Sequence, residues 1–268
     1  MNSKLTDLTV LIRGGGEVAS GVAHRLLRAH FKVCLTEIPQ PQAVCRGVSF
    51  SEAVYDGEKE IEGVVAKLVK SASDVPTVWR ENKIPIIVDP EAAIKDILHP
   101  SILIDAIMAK RNLGTRLTDA DLVIGLGPGF QAGRDVHFVV ETNNSERLGE
   151  VIFAGEAEKN TGVPISIGGL TFERILHAIG EGLFITNREI GEQVAAGEVI
   201  AWVAGQPLKA PISGVVRALL RSGTRVNPGT KLIEIDPAAS REVCYRIRAR
   251  TRAIAGGVLE AILAWFNV

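Results

Sequence analysis

The chain of 268 residues carries 30 basic and 31 acidic side chains, a net charge of −1, with 46% hydrophobic and 23% charged residues. That length supports one large domain or two modest ones, each with a real core. The even charge balance argues against a nucleic-acid-binding surface, which needs a basic excess, and the apolar content excludes disorder. No charged-then-apolar leader is visible. The longest apolar stretch, Ala253 to Phe266, is short and carries Glu260, which speaks against a bilayer span. Cys34, Cys45 and Cys244 form no C-x-x-C pair and fit a reducing compartment. The expectation is a cytoplasmic protein with neither nucleic-acid nor membrane partners.

The amino-terminal half alternates strand and helix patterns. Leu8–Ile12 is an apolar run without strong alternation, as in a strand buried on both faces of a parallel sheet. Gly14, Gly15 and Gly16 follow, and Val18, Val22 and Leu26 then repeat at helical spacing beside Ala19 and Ala23. Phe31–Thr36 reads as the next strand, ended by Glu37 and a Pro39/Pro41 turn. After a less regular stretch, Ile61–Lys70 reads as a helix. Ile84–Val88 is a strand with Pro85 at its start or on an edge. Ile102–Ile104 and Leu122–Leu126 are two more, and a short helical stretch is expected after Asp105. Strand, helix, strand in this rhythm predicts an α/β fold with a Rossmann-like parallel sheet.

The first turn carries chemistry. Gly14-x-Gly16-x-x-Ala19 lies between a predicted strand and a predicted helix, the context of a dinucleotide fingerprint. Gly14 would make the tight turn, Gly16 would let backbone amides approach a pyrophosphate, Gly15 between them counts among the cofactor-binding residues, and the helix amino terminus would attract the anion. Glu37, 21 residues after Gly16, is placed to accept hydrogen bonds from a ribose and to repel a 2′-phosphate, which predicts NAD-like over NADP-like ligands. The alternative is a tight turn with Glu37 solvated. Glu17 puts negative charge beside this site and could contact a hydroxyl or a metal instead. A second glycine-rich turn, Gly127-Pro128-Gly129, leaves a strand end where ligands of open α/β sheets bind. Asp89 also ends a strand. Lys110 and Arg111 could pair with a phosphate or carboxylate, or could simply be a solvated helix end. His137, in the alternating strand Val136–Glu141, reads as structural, and no histidine spacing suggests a zinc site.

The carboxyl-terminal half repeats itself at an offset of 32 residues. Ala178 pairs with Ala210, Gly182 with Gly214, Gly191 with Gly223, Val194 with Val226, Gly197 with Gly229 and Ile200 with Leu232. Each copy reads as strand, turn, strand and cannot bury its apolar face alone, so two copies should interlock as a small β-barrel or sandwich. Through Lys209-Ala210-Pro211-Ile212-Ser213-Gly214-Val215-Val216 and the glycine pattern after it, Gly182–Ile235 resembles a biotinyl/lipoyl-type barrel-sandwich domain. The hairpin tip is trimmed and Lys209 stands just before the Ala-Pro step. A modified carrier lysine, and with it biotin or lipoate, is therefore not expected. Ala249 to Phe266 is apolar at helical spacing, and Gly256-Gly257 should permit close backbone approach. Docking on the first domain is expected, with homo-oligomerisation through an exposed apolar face as the alternative.

Longer runs carry a family resemblance. Arg13 to Gly21, Ala109-Lys110-Arg111-Asn112, Gly125 to Phe130, Val140-Glu141-Thr142-Asn143, Asn160 to Pro164 and Gly256 to Leu263 resemble the YqeB-type accessory proteins of selenium-dependent molybdenum hydroxylase systems. These are related to the xanthine dehydrogenase accessory proteins. The resemblance implies a role in maturing a molybdenum hydroxylase client enzyme, by handling a nucleotide or a molybdopterin-type cofactor. The patterns along the chain divide it into three domains: 1–134 for nucleotide binding, a β-rich 135–237 with the barrel-sandwich module at 178–236, and a carboxyl-terminal helix in 238–268. A NAD-dependent oxidoreductase and a ligand-free scaffold are the competing readings; no Tyr-x-x-x-Lys pair supports the former.

Overall fold

The computed structural model describes residues 5–267. Two compact units are present: one from the described residues up to Pro41, Ser49–Asn160 and the segment from Ile247 onward, the other from Gln42–Val48 and Thr161–Arg246. These divisions differ from the 134/135 and 237/238 boundaries expected from sequence: Phe138–Val140 and Val151–Ile152 hydrogen-bond into the large sheet, and the second unit runs on to Arg246.

In the first unit, β1 (Thr9–Arg13) leads into α1 (Glu17–Arg28) and β2 (Lys32–Glu37). The short α2 (Ala53–Asp56) precedes β3 (Glu58–Ile61) and β4 (Val64–Val69), and α3 (Val75–Arg80) precedes β5 (Ile84–Val88). After α4 (Lys95–Leu98) come β6 (Ile102–Asp105), β7 (Leu122–Leu126), β8 (Gln131–Ala132), β9 (Phe138–Val140), β10 (Val151–Ile152) and β11 (Gly155–Glu156). The chain returns to this unit as α5 (Ala249–Phe266), which packs on α1 and on β7, β9 and β10.

Nine strands form one sheet in the order β10-β9-β7-β6-β1-β2-β5-β4-β3. The central strands are parallel and buried, with Leu11, Ile12, Leu35, Ile86, Leu103 and Ile104 fully enclosed. Both edges are antiparallel: β3 against β4 and β10 against β9. This corrects the expected Rossmann-like parallel sheet, because the sheet is mixed. The expected helix over Ile61–Lys70 is corrected by the same edge. Glu62 and Gly63 both adopt positive φ, at 46° and 81°, and close a two-residue hairpin that makes 58–69 two strands. Pro85 is tolerated inside the sheet because the β2 ladder begins only at Ile86.

The second unit contains β12 (Ile175–His177), β13 (Gly182–Ile185), β14 (Gln193–Val194), β15 (Val199–Val203), β16 (Gln206–Lys209), β17 (Gly214–Leu219), β18 (Thr224–Val226) and β19 (Lys231–Asp236). They lie in two antiparallel four-stranded sheets, β12-β19-β17-β14 and β16-β15-β13-β18. The 32-residue offset maps β13, β14 and β15 onto β17, β18 and β19, and each copy gives its middle strand to the other copy's sheet. The biotinyl/lipoyl-like barrel-sandwich of the sequence reading is corrected. No ladder joins the two sheets, and the extra strands β12 and β16 extend each one separately. Lys209 ends β16, paired with Val199, while the hairpin tip is Ala204-Gly205 at φ 49° and 79°. Phe184, Val216, Leu219, Leu232 and Ile233 fill the core, beside a buried Arg174–Glu234 ion pair at 2.9 Å.

Burial pushes the imidazoles of His24, His137 and His177 below their ordinary value of 6.5. In addition, His137 Nδ1 accepts the Val123 N–H at 2.9 Å, a bond lost when that nitrogen is protonated. As pH falls below 6.5, the unfolded chain takes up these protons before the folded one does, so stability drops. Thermal melts should fall by a few degrees from about pH 7.5 to about pH 5.5, and His137→Gln should flatten that slope. An identical slope in the two proteins would remove His137 from the account.

Candidate functional site

The carboxyl ends of the parallel strands gather most of the residues singled out in the sequence. After β1, Gly14 turns the chain at φ +99°, and its N–H donates to the Thr36 carbonyl at 2.8 Å. A side chain there would meet the Ala106 carbonyl at 3.1 Å, so only glycine lets this turn sit against the chain leaving β6. Gly15 is held from three sides: its carbonyl accepts the Ser51 N–H at 2.8 Å and the Ser20 hydroxyl at 3.0 Å, and its N–H donates to Glu37 Oε2 at 2.8 Å. Gly16 faces open space and caps α1 with no side-chain partner.

Glu37 thus occupies the amide of Gly15, inside the turn expected to bind a cofactor. Its other oxygen accepts the Ile38 N–H at 2.8 Å. Burial raises the carboxyl above its ordinary value, and the two N–H bonds pull it partly back. Each oxygen keeps a second lone pair for a hydroxyl donor. Glu17 is not free for a ligand, because Arg248 Nε lies 3.1 Å from its Oε1. Asp89 is likewise engaged locally, since its Oδ2 accepts the Ile94 N–H at 2.8 Å and closes the turn after β5.

The helix expected after Asp105 is absent. Residues 106–116 form a loop in which Met108 and Lys110 are left-handed, at φ 62° and 61°. Lys110 and Arg111 are exposed, and among the described residues neither has an ion-pair partner. Gly129, at φ +107°, lies so close that a Cβ would come within 2.6 Å of the Arg111 backbone. Gly127, at φ +75°, abuts the Thr142 side chain in the same way. Gly14 therefore touches the start of the 106–116 loop, and Gly129 touches its middle.

Sequence reading missed the buried groups beneath these turns. Arg13 ends β1 at only 5% exposure; Nη1 donates to Thr115 Oγ1 at 2.6 Å and lies 3.4 Å from Asp105 Oδ2. Thr115 Oγ1 in turn donates to Asp105 Oδ2 at 2.6 Å. Burial raises the Asp105 carboxyl, against the lowering effects of Thr115 and Arg13. Arg13 Nε and the fully buried Ser51 Oγ have no hydrogen-bond partner among the described residues. The signal for Arg13 and Asp105 was an ionisable residue closing an otherwise apolar, doubly buried strand. His, Cys, Asp and Glu side chains form no cluster of three or more suited to a metal among the described residues, and none of the described helices is long and apolar enough to cross a membrane.

No family model matches the chain. It is 44% identical over 254 residues to the uncharacterized protein YqeB of Escherichia coli (strain K12), a match covering 95% of this chain and 47% of YqeB. The chain therefore spans about half the length of that curated relative. Solved structures with some likeness include the ectoine utilization protein EutE (DoeB) of Ruegeria pomeroyi, product-bound, at 10% identity and TM-score 0.28, over 87% of this chain and 86% of that one. A succinylglutamatedesuccinylase/aspartoacylase of Rhodobacter sphaeroides matches at 12% identity and TM-score 0.29, over 87% and 86%. At such scores neither says anything of this chain's chemistry. The expected role in molybdenum hydroxylase maturation, and the selenium connection with it, is corrected: the curated relative that matches is an uncharacterized protein, whose name carries no such role.

Proposed function

We propose that the carboxyl edge of the nine-stranded sheet binds a small phosphorylated ligand of the nucleotide class, NAD-like in its sugar. A phosphate would lie between the open side of Gly16 and the exposed Lys110-Arg111 pair, and a sugar hydroxyl would donate to Glu37. The observation that carries this reading is the approach of three chain-distant segments at one edge: Gly14 against Ala106, and Gly129 against Arg111. The three unbridged, buried cysteines favour a reducing compartment such as the cytoplasm.

Calorimetry with ADP, NAD and NADP tests the reading. The expected result is measurable binding of ADP and NAD, weaker binding of NADP, and steep weakening with salt. Lys110→Ala combined with Arg111→Ala should cost about tenfold or more in affinity, since a hydrogen bond to a charged group contributes about 1.5–3 kcal/mol. Gly16 has φ −68°, which any residue adopts, so Gly16→Val should fold normally and still lose the ligand by filling the approach. Undiminished affinity in Gly16→Val, or no binding by the wild type, would overturn the proposal.

A further inference from the structure

We propose that Arg13, Asp105 and Thr115, completed by Asn112, are positioning residues that hold the Lys110-Arg111 segment in place for a phosphate. The inference rests on the binding reading above and deepens it.

The 106–116 loop leaves the sheet at Asp105 and would be free to swing if only its ends were tethered. Instead it is pinned on both sides of the basic pair. On the near side, Asp105 Oδ1 accepts the Ile107 N–H at 3.2 Å. On the far side, Asn112 Oδ1 accepts the Thr115 N–H and Asn112 Nδ2 donates to the Thr115 carbonyl, both at 2.8 Å. Arg13 then joins the two sides. Its Nη2 donates to the Leu113 carbonyl at 3.2 Å while Nη1 donates to the Thr115 hydroxyl, which donates onward to Asp105. Arg13, Asp105 and Thr115 are buried while Lys110 and Arg111 are exposed, so those three stay out of a ligand's reach. Two left-handed residues, Met108 and Lys110, bend the loop between the pins, and conformations of that kind persist only where surrounding contacts enforce them. The bend sets the backbone of Lys110-Arg111 against Gly129. Fixing two long cationic side chains at their Cα atoms lowers the entropy lost on binding, and it acts only on the phosphate-dependent part of affinity.

Thr115→Val keeps the shape of the side chain and removes the hydroxyl; Thr115→Ser restores it. The preference of each protein for ADP over adenosine is measured by calorimetry, with tryptic cleavage after Lys110 and Arg111 followed by mass spectrometry. In Thr115→Val the ADP preference should fall about tenfold, the scale of one hydrogen bond to a charged group, with adenosine affinity unchanged. Cleavage at the pair should accelerate. Thr115→Ser should match the wild type in both. If Thr115→Val fails to fold, Asn112→Ala reads the same loop from a half-buried position. Retained ADP preference in Thr115→Val would overturn the clasp while leaving the binding reading intact. Equal losses in Thr115→Val and Thr115→Ser would reduce these residues to packing. A wild type with no ADP preference would remove the binding reading, and the positioning role with it.

Discussion

Gly257→Val should lower the melting temperature by roughly 6–12 °C, from an overpacking cost of about 3 kcal/mol in a chain of this size. Gly257 is buried on α5, and a Cβ there would overlap the Gly149 carbonyl oxygen and lie 2.9 Å from Val140 Cγ1. The obstacle is backbone and core, neither of which can move aside cheaply. Gly149 is locked from its own side: it sits at φ +85°, and a side chain there would meet the Ala253 carbonyl at 2.7 Å. The loop before β10 and α5 therefore lie backbone to backbone. Gly256, one residue earlier, is the control. A Cβ there meets only Arg25 Nη1 at 3.4 Å, the far end of a flexible side chain. Gly256→Ala should gain up to about 1 kcal/mol of helix propensity with no opposing clash. Melts of the two variants decide the matter, and a stable Gly257→Val would show that the loop yields more easily than its geometry implies.

Legibility in the sequence followed burial. β1, β2, β5, β6 and β7 are short apolar runs because both their faces are covered, and each was readable as such. The segment Ile61–Lys70 reads as a helix in the sequence because Ile61, Val64, Val65 and Leu68 recur at i, i+3, i+4 and i+7 and suit a helix face, and the Glu62-Gly63 turn lacks the usual asparagine or aspartate. Glycine spacing located the turns at 14–16 and 127–129, since positive φ and close backbone approach demand that residue. It could not show that Glu37 bonds Gly15, nor that Glu17 pairs with Arg248, because both depend on side chains that meet only after folding. Lys110 and Arg111 were found by charge, whereas their support was not. Arg13, Asp105 and Thr115 lie up to 102 residues apart in the chain, and no periodicity announces their meeting.

Asp105→Ala should destabilise the first unit by about 3–5 kcal/mol, the usual cost of leaving one member of a buried ion pair without its counterion. Arg13 would remain at the end of β1, enclosed to 5% exposure, with its charge answered only by neutral oxygens: Thr115 Oγ1 and the Pro90 and Leu113 carbonyls. Arg13→Met should cost a similar amount for the opposite reason. It would strand a carboxylate whose burial already raises its pKa, leaving Thr115 and the Ile107 N–H as its partners. That raised pKa sets the sign with pH. The folded state holds the Asp105 proton more tightly than the unfolded chain, so the penalty for the stranded carboxylate grows as pH rises through the folded pKa and shrinks in acid. Arg13→Met should therefore recover part of its loss in mild acid, and Asp105→Ala, lacking the titrating group, should not. Combining Arg13→Met with Asp105→Ala removes both charges together. The double variant should lose less than the two single losses added, by a coupling of about 1–3 kcal/mol. Denaturant titration of the four proteins at neutral and mildly acidic pH measures that coupling. Strict additivity would mean that Arg13 and Asp105 act separately, with the 3.4 Å approach contributing nothing to stability.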